Sequence, residues 1–274
     1  MNDVALDPPF SLDAAARRAL EKSARFWFLT AVAGQWMFAA YVVAYYGGAA
    51  LRGDLAHWNL VLPHGYVEGE TFGNAAVAAH LALAFLVLVG GPLQFVAAVR
   101  ERLPRLHRWV GRVYLVTAIT TALIGLWMLM TRGTIGDLPQ HVAVCFNALL
   151  IVMSGGFAWL AAVSRDFVAH RRWVLRLFLA VGGVWFFRVG FMAWVGYNGA
   201  PVGFDPESFT GPFLTFLSFA QTLLPLAALE TYFRAQESQR PAAKVAVAAL
   251  IAGLTFVMGF GIFVAANVIW LPRI

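Results

Sequence analysis

Seven long apolar segments, separated by short polar connections, run along the whole chain. Each has about 20 residues or more, the length that an α-helix needs to cross the hydrocarbon core of a bilayer. The pattern therefore predicts an all-α, polytopic membrane protein with about seven transmembrane helices, folded as a single transmembrane domain over residues 1–274. The predicted helices cover residues 26–47, 74–99, 108–131, 139–163, 172–197, 211–233 and 243–270.

The segment before the first apolar run, residues 1–25, mixes acidic and basic side chains, which is not typical of a secretory signal peptide. We expect a cytoplasmic, interfacial segment here, with Ser11 as the N-cap of a short helix. Every second connection is rich in Arg and Lys, and the positive-inside rule then predicts a cytoplasmic N-terminus and a periplasmic C-terminus. The basic connections contain Arg100, Arg102, Arg105 and Arg108, then Arg165, Arg171 and Arg172, and then Arg234, Arg240 and Lys244.

Composition agrees with a membrane domain, since 61% of the residues are hydrophobic, 12% are charged and the mean hydropathy is +0.71. A soluble core cannot bury that much apolar surface, and the short connections leave no room for a catalytic ectodomain. The net charge of +6 comes from the loops, so topology explains it and we expect no nucleic-acid partner. The single cysteine, Cys145, has no partner for a disulfide and is expected to pack in the membrane.

Four histidines form the most regular polar pattern, with one on each of four successive predicted helices: His80, His107, His141 and His170. Because the helices alternate in direction, His80 and His141 fall at a similar outer depth. His107 and His170 fall together near the cytoplasm. The sequence therefore predicts two levels with two histidines each.

The same region contains an internal repeat. His80 and His141 are 61 residues apart, His107 and His170 are 63 apart, and LHRWVGRVY after the third helix begins resembles HRRWVLRLF in the fifth. Two similar hairpins over residues 74–197 would form a four-helix bundle with the paired histidines facing each other. Paired neutral imidazoles in an apolar interior are the axial ligands of b-type haem, so this pattern predicts two haem b groups, one above the other.

Further residues fit this interpretation when the helices are projected at 100° per residue. Gly91 and Gln94 fall on the His80 face but roughly 17–21 Å deeper, at the inner level. Gly155 falls on the His141 face at a comparable depth, and Gly125 falls on the His107 face at the outer level. Glycine would leave room for the haem ring, although close helix packing is the commoner reason for a glycine in a membrane helix.

Three arginines are candidates for contacts with haem propionates. Arg188 lies 18 residues beyond His170, five helical turns on the same face and roughly 27 Å away, near the outer level. Arg112 and Arg176 follow the inner histidines and are candidates for the inner propionates or for a substrate anion.

Two other kinds of function remain open. The histidines could bind copper or zinc without haem, although neither level offers the three or four ligands of a usual zinc site. Alternatively, the arginines could line the path of a transporter, channel or sensor in which the histidines carry or sense protons.

The first outer connection, residues 48–73, is either a lid or a solvated surface segment. The two additional helices over 211–270, with the first helix, contain few polar residues, and interhelical hydrogen bonds are the expected role of Gln35, Gln221 and Glu230.

The segments around His80, LHRWVGRVY and HRRW resemble, over roughly residues 75–195, the bacterial predicted-membrane-protein family named domain of unknown function 2306 (DUF2306). One histidine on each of four consecutive helices is also similar to the cytochrome b561 group, in which the second helix pairs with the fourth and the third with the fifth around two haems. That resemblance implies the pairs His80 with His141 and His107 with His170. It also implies electron transfer across the membrane from ascorbate or quinol to an acceptor such as ferric iron. The sequence has no clear ascorbate-site signature, so the donor and acceptor stay open.

Together these observations predict a di-haem b-type cytochrome in the bacterial inner membrane that takes electrons from quinol or another small donor. A homodimer or a partner subunit is left open. The predicted cofactor contacts are His80, His107, His141, His170, Gly91, Gln94, Gly125, Arg112, Arg176 and Arg188.

Overall fold

The computed structural model describes residues 12–133 and 135–274, so Ser11 and the helix cap expected there lie outside the described residues. The described chain is helical, and its β-structure is a single isolated bridge between Asp205 and Thr210. The helices are α1 (Leu12–Val42), α2 (Thr71–Leu93), α3 (Pro104–Arg132), α4 (Leu138–Val163), α5 (Phe167–Val181), α6 (Gly183–Asn198), α7 (Pro212–Glu237) and α8 (Pro241–Ala265).

Among the described residues, six helical stretches are long and apolar enough to cross a membrane, and α5 with α6 makes a seventh if that bent pair is one span. Large apolar side chains face outward along these helices, including Val116, Leu160, Phe256 and Phe263. Such exposure is costly in water and favourable against lipid tails. The prediction of an all-α, polytopic membrane protein is therefore confirmed.

Local sequence sets several helix boundaries. Proline occupies the first turn of α3, α4, α7 and α8, where its missing N–H costs no helical hydrogen bond. Asp137 caps α4 through a capping box, in which its side chain accepts from the Gln140 N–H and the Gln140 side chain accepts from the Asp137 N–H. Asp166 caps α5 by accepting from the Ala169 N–H.

Two predicted boundaries differ from the structure at the N-terminal side. Residues 12–25 do not form a separate interfacial helix, because α1 is continuous from Leu12 to Val42 and extends through a π-helical turn (Val43–Gly47) to Leu51. The second predicted helix, 74–99, ends at Leu93, and a separate short helix spans Ala97–Arg102. Pro92 lies in the last turn of α2, where it cannot continue the pattern of backbone hydrogen bonds.

The fifth predicted helix, 172–197, is two helices that are bent by 52°. The bend lies at Gly182 and Gly183, a pair that lowers the cost of leaving straight helical geometry. A Cβ on Gly183 would lie 3.0 Å from Asn147 Nδ2, so the break also lets α4 approach closely. The predicted distance of roughly 27 Å between His170 and Arg188 assumed one straight helix, and the bend makes that prediction wrong.

Helices α2 to α5 form a ring. Successive helices pack side by side, and the ring closes where Phe178 of α5 lies against Gly91 of α2 and against Phe95, two residues after α2 ends. In such a ring α2 lies diagonally across from α4, and α3 from α5. The remaining helices pack on one side: α1 lies along α8, α8 contacts α6, and α7 contacts α4, α5 and α6.

Candidate functional site

His80 lies inside the ring and faces α3. A Cβ on Gly125 would fall 3.3 Å from His80 Cε1, and the imidazole also lies against the backbone of Thr121. His80 Nδ1 is buried and has no hydrogen-bond partner. Gly125 is therefore at the depth of His80 and makes room for its ring, because a side chain on Gly125 would collide with the imidazole.

His107 and His170 lie within electrostatic reach of each other at the other end of the bundle. The two imidazoles are close enough to interact electrostatically, and Arg100 and Arg108 add positive charge beside His107. His107 Nδ1, like that of His80, is buried without a hydrogen-bond partner. The structure thus brings together the two histidines that the sequence pairs at the inner level.

The orientation of His170 is fixed by α4, since its Nδ1 lies 2.8 Å from the carbonyl oxygen of Ala158. A carbonyl only accepts, so Nδ1 carries the proton and Nε2 keeps its lone pair. This is the arrangement by which metal-binding histidines are commonly held, with the second nitrogen donating to a backbone carbonyl. This contact could not be predicted from the sequence, because every residue type has a backbone carbonyl that can accept.

His141 lies half-buried in the first turn of α4, where its N–H donates to the carbonyl of Asp137. It follows the capping box directly, so the start of α4 fixes its depth. His80 interacts with the α3 residues Thr121 and Gly125 and lies within electrostatic reach of Arg188. Helices α2 and α4 lie diagonally across the ring, as expected if His80 and His141 form the outer pair. The approach of the two imidazoles to each other stays a prediction.

An apolar layer separates the two histidine levels. Six residues from all four helices form one packed cluster: Val87, Tyr114, Ala118, Ile151, Leu177 and Ala180. On α3 these residues lie between His107 and Gly125, which are 18 residues and roughly 27 Å apart along the helix. The bundle therefore has two ends with imidazoles and a dry centre.

Gln94 and Gly91 lie at the inner half of the bundle. The side-chain oxygen of Gln94 would be 3.1 Å from a Cβ on Gly111, one turn beyond His107, and Gln94 Nε2 is buried without a partner. Gly91 accommodates the ring of Tyr114, since an added Cβ would lie 2.9 Å from it. Gly155 instead contacts Leu115 and Ile119 of α3, which is the close helix packing considered as its alternative role.

Arg188 lies on α6 beyond the bend and points between α1 and the outer histidine level. Its guanidinium lies over the ring of Phe38 at 5.3 Å, next to Tyr41 and Tyr46, and within electrostatic reach of His80. Its hydrogen bond in the described chain goes to the Val184 carbonyl one turn earlier, and no carboxylate among the described residues pairs with it. A partly buried guanidinium without a counter-charge favours the approach of an anion.

The other two arginines are not brought to the inner histidines. Arg112 is exposed and lies over Trp109, on the outside of α3. Arg176 donates to Glu230 of α7 at 2.8 Å from Nε, and it also stacks on Trp173. The 140° between positions five residues apart on a helix accounts for the outward direction of Arg112.

The outer connection is tied to the bundle by Arg132, at the end of α3. Its guanidinium donates to the carbonyls of His64 and Gly65, to the Glu70 carboxylate at 3.0 Å and to Asn74 Oδ1 at 2.9 Å. The side chain is only 5% exposed despite its charge. Arg132 is not among the predicted site residues. A single arginine in an outer loop could have indicated a structural role.

The same connection is held at its start by aromatic residues. Trp58 is buried and donates from Nε1 to the Tyr46 carbonyl, and Tyr45 donates to the His57 carbonyl. Asn59 and Asn74 each exchange two hydrogen bonds with backbone, at Tyr66 and at Val67. Residues 48–73 are therefore an ordered cover over the outer end of the bundle.

Larger groups of metal-binding side chains do not occur in residues 12–133 and 135–274, where no three His, Cys, Asp or Glu side chains converge on one point. His107 and His170 are a pair of imidazoles that lie within electrostatic reach of each other, and a pair suits a metal whose other ligands come from its own macrocycle.

Comparison with known proteins gives one match. Residues 77–201 match the family described as "Predicted membrane protein (DUF2306)". The match covers nearly the stretch over which the sequence resembles that family, and it includes all four histidines of the bundle. No curated protein and no solved structure matches the chain. The similarity to the cytochrome b561 group stays a prediction.

Proposed function

We propose that this protein is a di-haem b-type cytochrome that transfers electrons across the membrane, with His80 and His141 as one axial pair and His107 and His170 as the other. The observation that carries the proposal is the hydrogen bond from His170 Nδ1 to the Ala158 carbonyl. This hydrogen bond places the proton on Nδ1 and leaves the lone pair of His170 Nε2 free, which is the tautomer that binds iron.

The surroundings of the other histidines support the same assignment. Unpartnered buried side-chain nitrogens are rare in proteins, and His80 Nδ1 and His107 Nδ1 are two of the five among the described residues. Metal binding requires a neutral imidazole with a free lone pair. The glycine beside His80, Gly125, lets that imidazole lie directly against α3.

Haem b supplies one-electron chemistry through its iron, and the chain's part is to hold and orient it. Arg188 would pair with a propionate at the outer level, because it lies beside His80 and has no carboxylate partner among the described residues. We do not assign Arg112 and Arg176 to the inner haem site. Arg112 is exposed, and Arg176 forms an ion pair with Glu230. Gln94 Nε2, a buried donor near His107, is the better candidate there.

A quinol is the proposed donor, because a lipid-soluble reductant reaches an enzyme that has no soluble domain in the described chain. The cytoplasmic N-terminus and the location in a bacterial inner membrane belong to this proposal and rest on the arginine-rich connections. A homodimer or a partner subunit on α1, α7 and α8 is compatible with it.

The test is a reduced-minus-oxidised visible spectrum of purified protein, with quantitation of haem per chain. We expect two haems b in the wild type and about one in His80→Ala and in His107→Ala. His57→Ala is the matched control, because His57 lies in the outer connection beside Tyr45 and should leave both haems in place. A colourless protein from haem-sufficient cells would refute the proposal and favour a transporter, sensor or non-haem metal protein.

A further inference from the structure

A cleft of about 370 Å³ lies outside the four-helix ring, between α1, α5, α6, α7 and α8. Its walls are almost entirely apolar and include Trp27, Phe178 and Met258. Three of its lining residues, Phe216, Leu224 and Val257, are also largely exposed on the outside of α7 and α8. The cleft therefore opens sideways to lipid, and an apolar molecule can enter it from the bilayer.

One polar side chain in this cleft lacks a partner. Gln221 of α7 lines the cavity and is 94% buried, as its exposed fraction is 6%. Its Nε2 donates to the Ser218 carbonyl one turn earlier, which leaves Oε1 without a hydrogen bond. A buried acceptor without a donor is costly, so the site favours a ligand that supplies an O–H or N–H.

The backbone adds a second acceptor at the same place. Pro225 also lines the cleft, four residues after Gln221 on the same helix. Proline has no N–H, so the carbonyl of Gln221 lacks the donor that it would have in a regular helix. Gln221 thus has an unpartnered side-chain oxygen and a carbonyl without its usual helical donor beside a largely apolar space.

The cleft adjoins the inner half of the four-helix bundle. Phe178 lines the cleft and at the same time lies against Gly91 on the bundle side. Its ring also contacts Phe95 and Phe28, which line the cleft as well, with centroids 5.1 Å and 6.2 Å away. A molecule in the cleft is therefore separated from the bundle interior by a layer of aromatic side chains.

We infer that this cleft binds a long-chain quinol, with a ring hydroxyl donating to Gln221 and the apolar chain leaving towards lipid between α7 and α8. The choice of a quinol over another lipid alcohol rests on the proposed electron-transfer function. The reduced form fits better than the quinone, because only the quinol has a hydroxyl hydrogen to give to Gln221 Oε1.

The experiment measures retention of decylubiquinol and decylubiquinone by the full chain in phosphatidylcholine nanodiscs, relative to empty nanodiscs, under anaerobic conditions. Haem is quantified on the same samples. Gln221→Met removes the acceptor at nearly constant volume and should weaken decylubiquinol binding about fivefold, the effect of one hydrogen bond. Gln35→Met is the matched control, because Gln35 is equally buried with an unpartnered Oε1 but does not line the cleft.

A second variant, Ala220→Phe, fills the cleft from α7 and should abolish retention while haem content is unchanged. Preference for the quinol in wild type, lost in Gln221→Met and kept in Gln35→Met, supports the inference. Equal retention by all variants in haem-loaded protein overturns it and leaves the electron-transfer proposal intact. Retention without haem supports the cleft while refuting that proposal. Equal binding of farnesol, sensitive to Gln221 in the same way, overturns the assignment to a quinol.

Discussion

Arg132 joins α2, α3 and the outer connection, and its removal should disturb the outer histidine level from a distance. Asn74 lies six residues before His80 on α2, and Arg132 lies seven residues after Gly125 on α3. The hydrogen bond between Arg132 and Asn74 therefore fixes the register that sets His80 against Gly125. We predict that Arg132→Met loosens this register and lowers haem retention at the outer level.

The magnitude follows from four hydrogen bonds made by one buried guanidinium. A hydrogen bond to a charged group contributes about 1.5–3 kcal/mol when lost alone, and bonds that share one donor group are not additive. Glu70 is 56% exposed and regains water, which reduces the loss further. We expect the outer connection to open more readily by about 3–4 kcal/mol, or roughly two to three orders of magnitude in the opening equilibrium.

Hydrogen exchange measured by mass spectrometry reports this opening at the amides of Tyr66 and Val67, which Asn59 and Asn74 protect. Arg52→Met is the control, because Arg52 is exposed in the same connection. Arg132→Lys keeps the charge but loses the forked geometry and should be intermediate. Exchange in Arg132→Met within threefold of the wild type would refute the role assigned to Arg132.

Three further predictions concern other parts of the chain. Gly125→Leu should reduce haem to about one per chain by filling the space beside the outer imidazole, whereas Gly156→Leu, which has open space, should keep two. Asp13→Asn should lower the melting temperature more than the double change with Lys244→Met, because the single change leaves a fully buried ammonium without its carboxylate partner; equal losses would contradict this. In the loop before α7, the Glu207 N–H and the Ser208 hydroxyl donate to Asp205 and hold its pKa below the usual value of 3.8. This contribution is present above that value and is lost as the pH falls through the lowered pKa, so the protection factor of the Glu207 amide, its exchange relative to the intrinsic rate at each pH, should fall in acid in the wild type but not in Asp205→Asn.

Most of the helical plan could be predicted because it depends on properties that run along the chain. Segment length and hydropathy place each transmembrane helix within a few residues, except where α2 ends early at Pro92 and α1 begins before the apolar run. The bend at Gly182 and Gly183 was missed, since hydropathy is continuous across it. A glycine pair in the middle of an apolar helix was the available signal.

The candidate site was only partly predictable. Helical periodicity gave the two levels of histidines, and the structure brings His107 and His170 together. Periodicity could not tell which arginines would find partners on other helices. Glu230, unexplained in the sequence, is 54 residues from Arg176 and neutralises it across the interface of α5 and α7.

The sequence by itself determined that this is a helical membrane protein, and it predicts paired histidines at two depths, because hydropathy, helix length and helical period can be read from the order of residues alone. Tertiary structure alone decided which partners those residues meet. The Ala158 carbonyl that orients His170, the four acceptors around Arg132 and the cleft beside Gln221 each depend on how separate helices approach. Those approaches are fixed by side-chain packing and by the bend in the fifth span, which act between elements that are far apart in the chain.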